Sequence, residues 1–297
     1  MWKCLKFWRP GGRKIMDERL LITCDSGVDL GIDLIKQYGI KVLPLNVKLG
    51  KQYLQDGVNA KPQDLYDYFE KTKDLAVTSS PTIDQTFQFF TRHVFMGYTI
   101  IHFTISAELS HSYANAIAAA NDIGRNIHVV DTRTASSASA LIVLTAARMA
   151  QEGKSLAEIL STVHNLTSKT HVDVLVDKMD FLYAGGRCSG FQRFGANLFG
   201  IHPCITVKEG KLEQARTYRG KPIDMIPKFI EDSLATGTID NHFAFLTHTG
   251  VGQGLLDKAH AELEKRGKFD EIFTVFTGCT ISTHLGPNCI VITFLYK

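Results

Sequence analysis

The sequence predicts an α/β protein of two domains, a parallel sheet with flanking helices followed by a second, α+β domain. Three observations carry that prediction. A chain of 297 residues has room for two ordinary domains, and 44% hydrophobic with 21% charged residues suits a soluble globular protein. Through the first half, short apolar runs alternate with helix-like stretches, as in βα units whose parallel sheet is covered on both faces. Past about residue 168 the runs crowd together, and two of them flank Glu209-Gly210 in the manner of a hairpin. The expected divisions are a basic N-terminal extension over 1–16, an α/β domain over 17–168 and an α+β domain over 169–297.

Each element has its own signal. Residues 20–23 form an apolar strand running into Asp25-Ser-Gly-Val-Asp-Leu30, a polar turn before a helix that Gly39 closes. Residues 40–47 read as the second strand, and Gln52-Tyr-Leu with Asp56-Gly57 as a small ribbon. Pro62 suits the first turn of a helix reaching about Lys71. Residues 75–81 read as a strand ending in hydroxyls, with Thr82 capping a helix over 83–96. Residues 98–105 are an apolar strand that stops at Ser106-Ala-Glu-Leu-Ser-His-Ser-Tyr113, and Ser110 is placed to cap the helix that follows. Residues 126–130 give another strand, 135–153 an alanine-rich helix, and Ser155 the cap of one more. In the second domain, strands are expected at 172–176, 201–207, 212–215, 242–247, 271–276 and 289–295, and helices at 223–234 and 254–265. A short helical segment falls near Phe181-Leu-Tyr183, and Gly185-Gly-Arg-Cys-Ser189 is a glycine turn that lets Arg187 approach a ligand. Ser282-Thr-His-Leu-Gly-Pro287 reads as a loop.

Parallel sheets bind ligands beyond the carboxyl ends of their strands. Hydroxyl-bearing clusters fall at such ends in Asp25-Ser26, Thr78-Ser79-Ser80, Ser106 to Ser112, and Asp131-Thr132. A single cluster is ordinary helix capping; several on one rim point to a site. Free N–H groups and a positive dipole at a helix start favour a small anion there, so the turn at Ser106–Ser110 is read as a carboxylate holder.

Charge and cysteine content narrow the function. The net charge of +3 is concentrated at the start, where Lys3, Lys6, Arg9, Arg13 and Lys14 meet no acid before residue 17. Setting those five aside from totals of 33 basic and 30 acidic side chains leaves 28 against 30, which speaks against a nucleic-acid binder. Trp2 and Trp8 lie in the same tip. It reads as a disordered extension upstream of a start at Met16, with transient contact to an anionic membrane as the second reading. Six cysteines without a C-x-x-C pair argue against zinc and against a disulfide scaffold, and a cytoplasmic location is expected.

Taken together, these segments resemble the DegV family of bacterial fatty-acid-binding proteins. The likeness runs in order from Asp25 to the C-terminus, about nine tenths of the chain. Its motifs are Asp25-Ser-Gly-Val-Asp-Leu30, Pro44-Leu45 with Tyr53 and Asp56-Gly57, Thr78-Ser-Ser-Pro81, and Ile105-Ser-Ala-Glu-Leu-Ser-His-Ser-Tyr113. Val130-Asp-Thr, Gly185-Gly-Arg187, Ile201-His-Pro203 before Gly210-Lys211, and Thr283-His-Leu-Gly-Pro287 complete the set. The resemblance implies a long-chain fatty acid in a tunnel between the two domains, with no cofactor and no catalytic centre. It implies Thr78, with its neighbour Ser79, and a serine of the Ser106–Ser110 turn as carboxylate donors, with Arg187 and His284 in the surrounding polar network. Phe191, Phe194, Leu198 and Phe199 are candidates for the tail wall. It also implies a partner, a separate ATP-dependent fatty acid kinase subunit that makes acyl phosphate, as a step towards phospholipid synthesis.

The chain departs from the family pattern in places that bear on the site. Ser80 stands for a usual glutamine, Ala107 deletes a hydroxyl, and His111 replaces a glycine beside the expected carboxylate, where it adds a donor or narrows the pocket. Asn288 replaces a usual glycine. Rival enzyme motifs are thin: there is no G-x-S-x-G elbow, H-E-x-x-H pair or Walker loop. Gly250-Val-Gly-Gln-Gly254 suggests a dinucleotide turn, but Leu255 occupies the third glycine position. The alternatives that stay open are a serine hydrolase using Ser110 and His284, for which no orienting acid is apparent, and a binder of another small carboxylate.

Overall fold

The computed structural model describes residues 19–187 and 200–297; the N-terminal extension and the stretch holding Phe191, Phe194, Leu198 and Phe199 lie outside the described residues. Before residue 168 the elements are β1 (Arg19–Asp25), α1 (Ile32–Gln37), β2 (Lys41–Leu43), β3 (Asn46–Leu49), β4 (Gln52–Gln55), α2 (Pro62–Thr72), β5 (Val77–Ser79), α3 (Ile83–Phe95), β6 (Tyr98–Thr104), α4 (Ser112–Ile123), β7 (Ile127–Asp131), α5 (Ser136–Gln151) and α6 (Leu156–Leu166). After it come β8 (Thr170–Leu175), α7 (Asp180–Ala184), β9 (Ile201–Lys208), β10 (Lys211–Arg219), α8 (Pro222–Leu234), β11 (Ile239–His248), α9 (Gln253–Gly267), β12 (Glu271–Phe276), α10 (Cys279–Leu285) and β13 (Ile290–Tyr296).

The first sheet is parallel, in the order β2-β1-β6-β7, with Arg19 level with Tyr98 and Ile100 level with Ile127. The second has six strands in the order β10-β9-β8-β13-β11-β12; only β11 and β12 are parallel, joined by α9, and the other pairings are antiparallel. The α/β architecture of a parallel sheet plus a second, mixed sheet is therefore as the sequence predicts.

The alanine-rich helix α5 is the hinge of the packing. It touches β1 and β6 of the first sheet and β8, β11 and β13 of the second. Ala138, Ala140, Ala146 and Ala147 are buried along it. Small side chains let two sheets close on one helix, and Leu141, Ile142, Val143 and Leu144 fill the space left between them.

Three expectations need correction. Residues 75–81 do not join the parallel sheet: β5 pairs antiparallel with β3 in a separate three-stranded sheet, order β4-β3-β5. The single strand expected over 40–47 splits into β2 and β3, which belong to different sheets. Pro44 lies at the break, where its missing N–H cannot extend a ladder. The loop expected at 282–287 is largely helix α10, every residue of which except His284 is buried. Its β-branched composition hides it from propensity; contacts from the first half of the chain hold it, as described next. A smaller shift concerns α4, which begins at Ser112 rather than Ser110.

Candidate functional site

A cavity of about 330 Å³ lies between the C-terminal ends of the parallel strands and the inner face of the six-stranded sheet. That size is at the lower end for small-molecule sites. Its apolar wall comes from Val172 and Val174 of β8, Val207 and Leu212 of the β9–β10 hairpin, Leu182 of α7, Ile281 and Leu285 of α10, and Val291 of β13. Most of these belong to one buried apolar cluster. Leu45, Ile105, Leu109 and Ala135 close it from the other side.

The polar lining forms a connected string. Arg187 donates to the carbonyl of Gly185 at 2.6 Å. Gly185 lies flat against the His284 ring, since a Cβ there would overlap Nδ1. His284 Nε2 meets Thr78 Oγ1 at 2.9 Å. Ser79 ends β5, Ser80 follows it, and Ser80 Oγ meets Ser110 Oγ at 3.1 Å. Ser110 in turn meets Ser112 Oγ at 2.9 Å, accepts its backbone N–H, and leads to His111. Burial, reinforced by the Arg187 charge, holds the His284 imidazole down at about 4, so it is neutral near pH 7. Its Nδ1 is buried without a hydrogen-bond partner among the described residues. Ser79, His111 and Arg187 are exposed, so the string reaches solvent at both ends.

What fixes His284 is the anchoring of α10 at its other end. Asp29 accepts the Gly278 N–H at 2.7 Å and the Ser136 hydroxyl at 2.5 Å. Asp56 accepts the N–H groups of Cys279 and Thr280 at 2.7 and 2.9 Å, and the hydroxyls of Thr280 and Ser26 at 2.6 and 3.0 Å. Two carboxylates from the first half thus cap a helix of the second half, where free N–H groups and the dipole favour negative charge. Asp25 completes the cluster by accepting from Gly27 and Ile105 N–H. Burial pushes the carboxyls of Asp25 and Asp29 up to about 7 despite those bonds.

Of the residues singled out in the sequence, Thr78, Ser79, Ser110, His111, Arg187 and His284 all line this cavity. Ser106 does not: it is fully buried, and its hydroxyl donates to the carbonyl of Gly210 at 2.8 Å. That bond ties down the β9–β10 turn, where Glu209 and Gly210 take positive φ, and Lys211 pairs with Glu108 beside it. Sequence reasoning marked Ser80 within the Thr78-Ser79-Ser80 cluster but not Ser136 or Thr280, and it did not foresee that Asp29 and Asp56 anchor α10. The signal was present in Asp25-Ser-Gly-Val-Asp29 and Asp56-Gly57, but their partner lies 223 residues or more further along the chain. Ser110 and His284 share no hydrogen bond among the described residues, each being engaged elsewhere.

Residues 19–297 match the family described as "Uncharacterised protein, DegV family". The chain belongs to the DegV family. It is 29% identical over 283 residues to a DegV domain-containing protein of Caldanaerobacter subterraneus, covering 94% of this chain and all of that one. A Thermotoga maritima protein named fatty acid-binding protein is 25% identical over 281 residues, covering 92% and 96%. Among solved structures, a DegV family protein from Thermus thermophilus, described for its fatty acid binding, superposes with a TM-score of 0.85 at 25% identity, covering 93% of this chain and 99% of that one.

Proposed function

We propose that this chain binds a long-chain fatty acid, with its carboxylate at the polar string and its tail along the aliphatic wall. One observation carries the reading: among the described residues, one cavity joins a run of hydroxyls, imidazoles and one guanidinium to twelve aliphatic side chains, with no carboxylate in that lining. A carboxylate leaving water must regain hydrogen bonds or take up a proton. Thr78, Ser79, Ser80 and Ser110 carry hydroxyls free to turn towards it, His111 and His284 add ring N–H groups, and Arg187 supplies positive charge. For about fourteen methylenes, burial at about 0.8 kcal/mol each gives about 11 kcal/mol before ordering costs, so the tail dominates affinity and the head sets register. Ser106 serves this site indirectly, by holding the hairpin that carries Val207 and Leu212. The fatty-acid-binding names of the relatives support the same reading.

The chain is a carrier rather than a catalyst, and it works in the cytoplasm. Its partner is a separate ATP-dependent fatty acid kinase subunit. A carboxylate held beside exposed Ser79, His111 and Arg187 stays within reach of that subunit, and its oxygen attacks the γ-phosphorus of ATP, releasing ADP and forming acyl phosphate. The first and second halves, meeting near residue 168, contribute opposite walls of the cavity. The test is titration of delipidated protein with palmitic acid and with hexadecanol. The acid should bind at least about tenfold more tightly; equal affinities would remove the head-group assignment. Adding the kinase subunit and ATP to loaded protein should then convert the bound acid to acyl phosphate, and an unchanged acid would remove the partner.

A further inference from the structure

The end of the molecule opposite the cavity carries a surface that fatty-acid binding does not use. All four strands of the first sheet are parallel, so their N-terminal ends share one side. There α3 finishes at Phe95 and Met96, just before β6 begins at Tyr98. Phe95 is 86% exposed, more than any other large apolar side chain among the described residues, and Met96 is 57% exposed. A protruding Phe-Met pair has no folding rationale, because exposing it forgoes the burial that stabilises every other phenylalanine of the core.

Its surroundings are basic. Arg19 reaches from β1 to the Met96 carbonyl at 3.5 Å and to the Tyr98 hydroxyl at 2.8 Å, with its guanidinium 4.4 Å from the Tyr98 ring centre. Arg92 is exposed in the last turn of α3, three residues before Phe95. Arg125 precedes Asn126, whose carbonyl accepts from Ile100 two residues beyond Tyr98. Against Arg19, Arg92 and Arg125 stand exposed Asp122 in the last turn of α4 and, in the sequence, Asp17 and Glu18 directly before Arg19. The chain preceding Arg19 joins the fold at this same end, and its sequence brings Trp2, Phe7 and Trp8 together with five basic side chains.

We infer that this end is a docking face for an anionic lipid bilayer, with Phe95 and Met96 entering the interface and Arg19, Arg92 and Arg125 meeting the headgroups. Apolar side chains ringed by Lys and Arg are the composition that interfacial binding requires, and each cation near an anionic surface adds about fivefold to partitioning. The face lies about 20 Å from the cavity, the length of β6. A docked molecule therefore turns its ligand end away from the bilayer, towards a soluble partner. The face does not depend on the ligand reading, since neither Phe95 nor its cations line the cavity.

The experiment is co-sedimentation of the full chain with vesicles of phosphatidylcholine alone and of phosphatidylcholine with 30% phosphatidylglycerol (about one lipid in three, enough to set a strong surface potential). Binding should require the anionic lipid and weaken with salt. The double variant Phe95→Asp, Met96→Asp should lose about tenfold or more in affinity, and Arg92→Glu about fivefold or more. Fatty acid uptake from solution should stay as in the parent for both, which separates failure of this face from failure of the ligand reading. No vesicle binding, equal binding to neutral vesicles, or unchanged binding by the double variant overturns the inference. So does a parent dimer that the double variant splits, because the patch would then be a contact between copies of this chain.

Discussion

Asp56→Ala tests the idea that the first half of the chain positions His284 through α10. Asp56 is 3% exposed and accepts four hydrogen bonds, two from backbone N–H groups at the start of α10 and two from hydroxyls. Alanine leaves those donors without their acceptor at a position only 3% exposed. An unsatisfied buried donor costs about 1–3 kcal/mol, and the Thr280 and Ser26 hydroxyls can turn to other acceptors while the two N–H groups cannot. The expected loss is therefore about 4 kcal/mol, a large share of the ~5–15 kcal/mol that holds a typical domain. For a chain of this size the unfolding entropy is about 0.6 kcal/mol/K, so the melting temperature should fall by about 6 °C. The assay is calorimetry paired with palmitate titration. Affinity should fall as well, because α10 carries His284, Ile281 and Leu285 into the cavity. Asp56→Asn, which keeps an acceptor for one N–H, should lie between parent and alanine. A melting change under about 2 °C with unaltered affinity would refute the reasoning.

Three further predictions follow from the same geometry. Thr78→Val keeps the shape of the side chain but removes the hydroxyl facing His284; palmitate affinity should drop about tenfold in equilibrium titration, and the melting temperature should fall by about 2–5 °C because the buried His284 Nε2 loses its partner. Val291→Phe fills part of the apolar wall, so the longest fatty acid retained should shorten by a few carbons, measured by competition across a series of chain lengths. Asp29 has a folded carboxyl raised to about 7, so its charging opposes folding as pH rises from about 4 to about 7, and that loss is complete above 7. The buried imidazoles His102 and His284, held near 3 and 4, work in the opposite sense: their contribution is lost as pH falls below about 6.5. Comparing Asp29→Asn with the parent isolates the first effect. In urea unfolding the variant should gain stability relative to the parent between pH 5 and pH 8, and a constant difference would contradict the buried-acid account.

Much of the fold was legible because its elements carry local signals. Thr82 and Ser155 cap α3 and α6 with full capping boxes, Pro62 starts α2, and Glu209-Gly210 makes the hairpin turn. The elements that were misread are those fixed from far away. Helix α10 is rich in β-branched residues, and Asp29 and Asp56 hold it from more than two hundred residues upstream. Strand β5 looks like any short strand, and only its pairing with β3 decides which sheet it enters. The candidate site was legible to a similar degree. Hydroxyl clusters at strand ends marked Thr78, Ser79 and Ser110, whereas Ser106 sits in the same motif with its hydroxyl turned to Gly210, a partner that spacing cannot reveal.

The central claim is that the cavity holds a fatty acid, and the most direct measurement is mass spectrometry of the organic extract from freshly purified, denatured protein. The account predicts one fatty acid per chain, of a length set by the wall formed by Val172, Val174, Leu182 and Val291. An extract without fatty acid, from protein that also takes up none when palmitate is supplied, would contradict it.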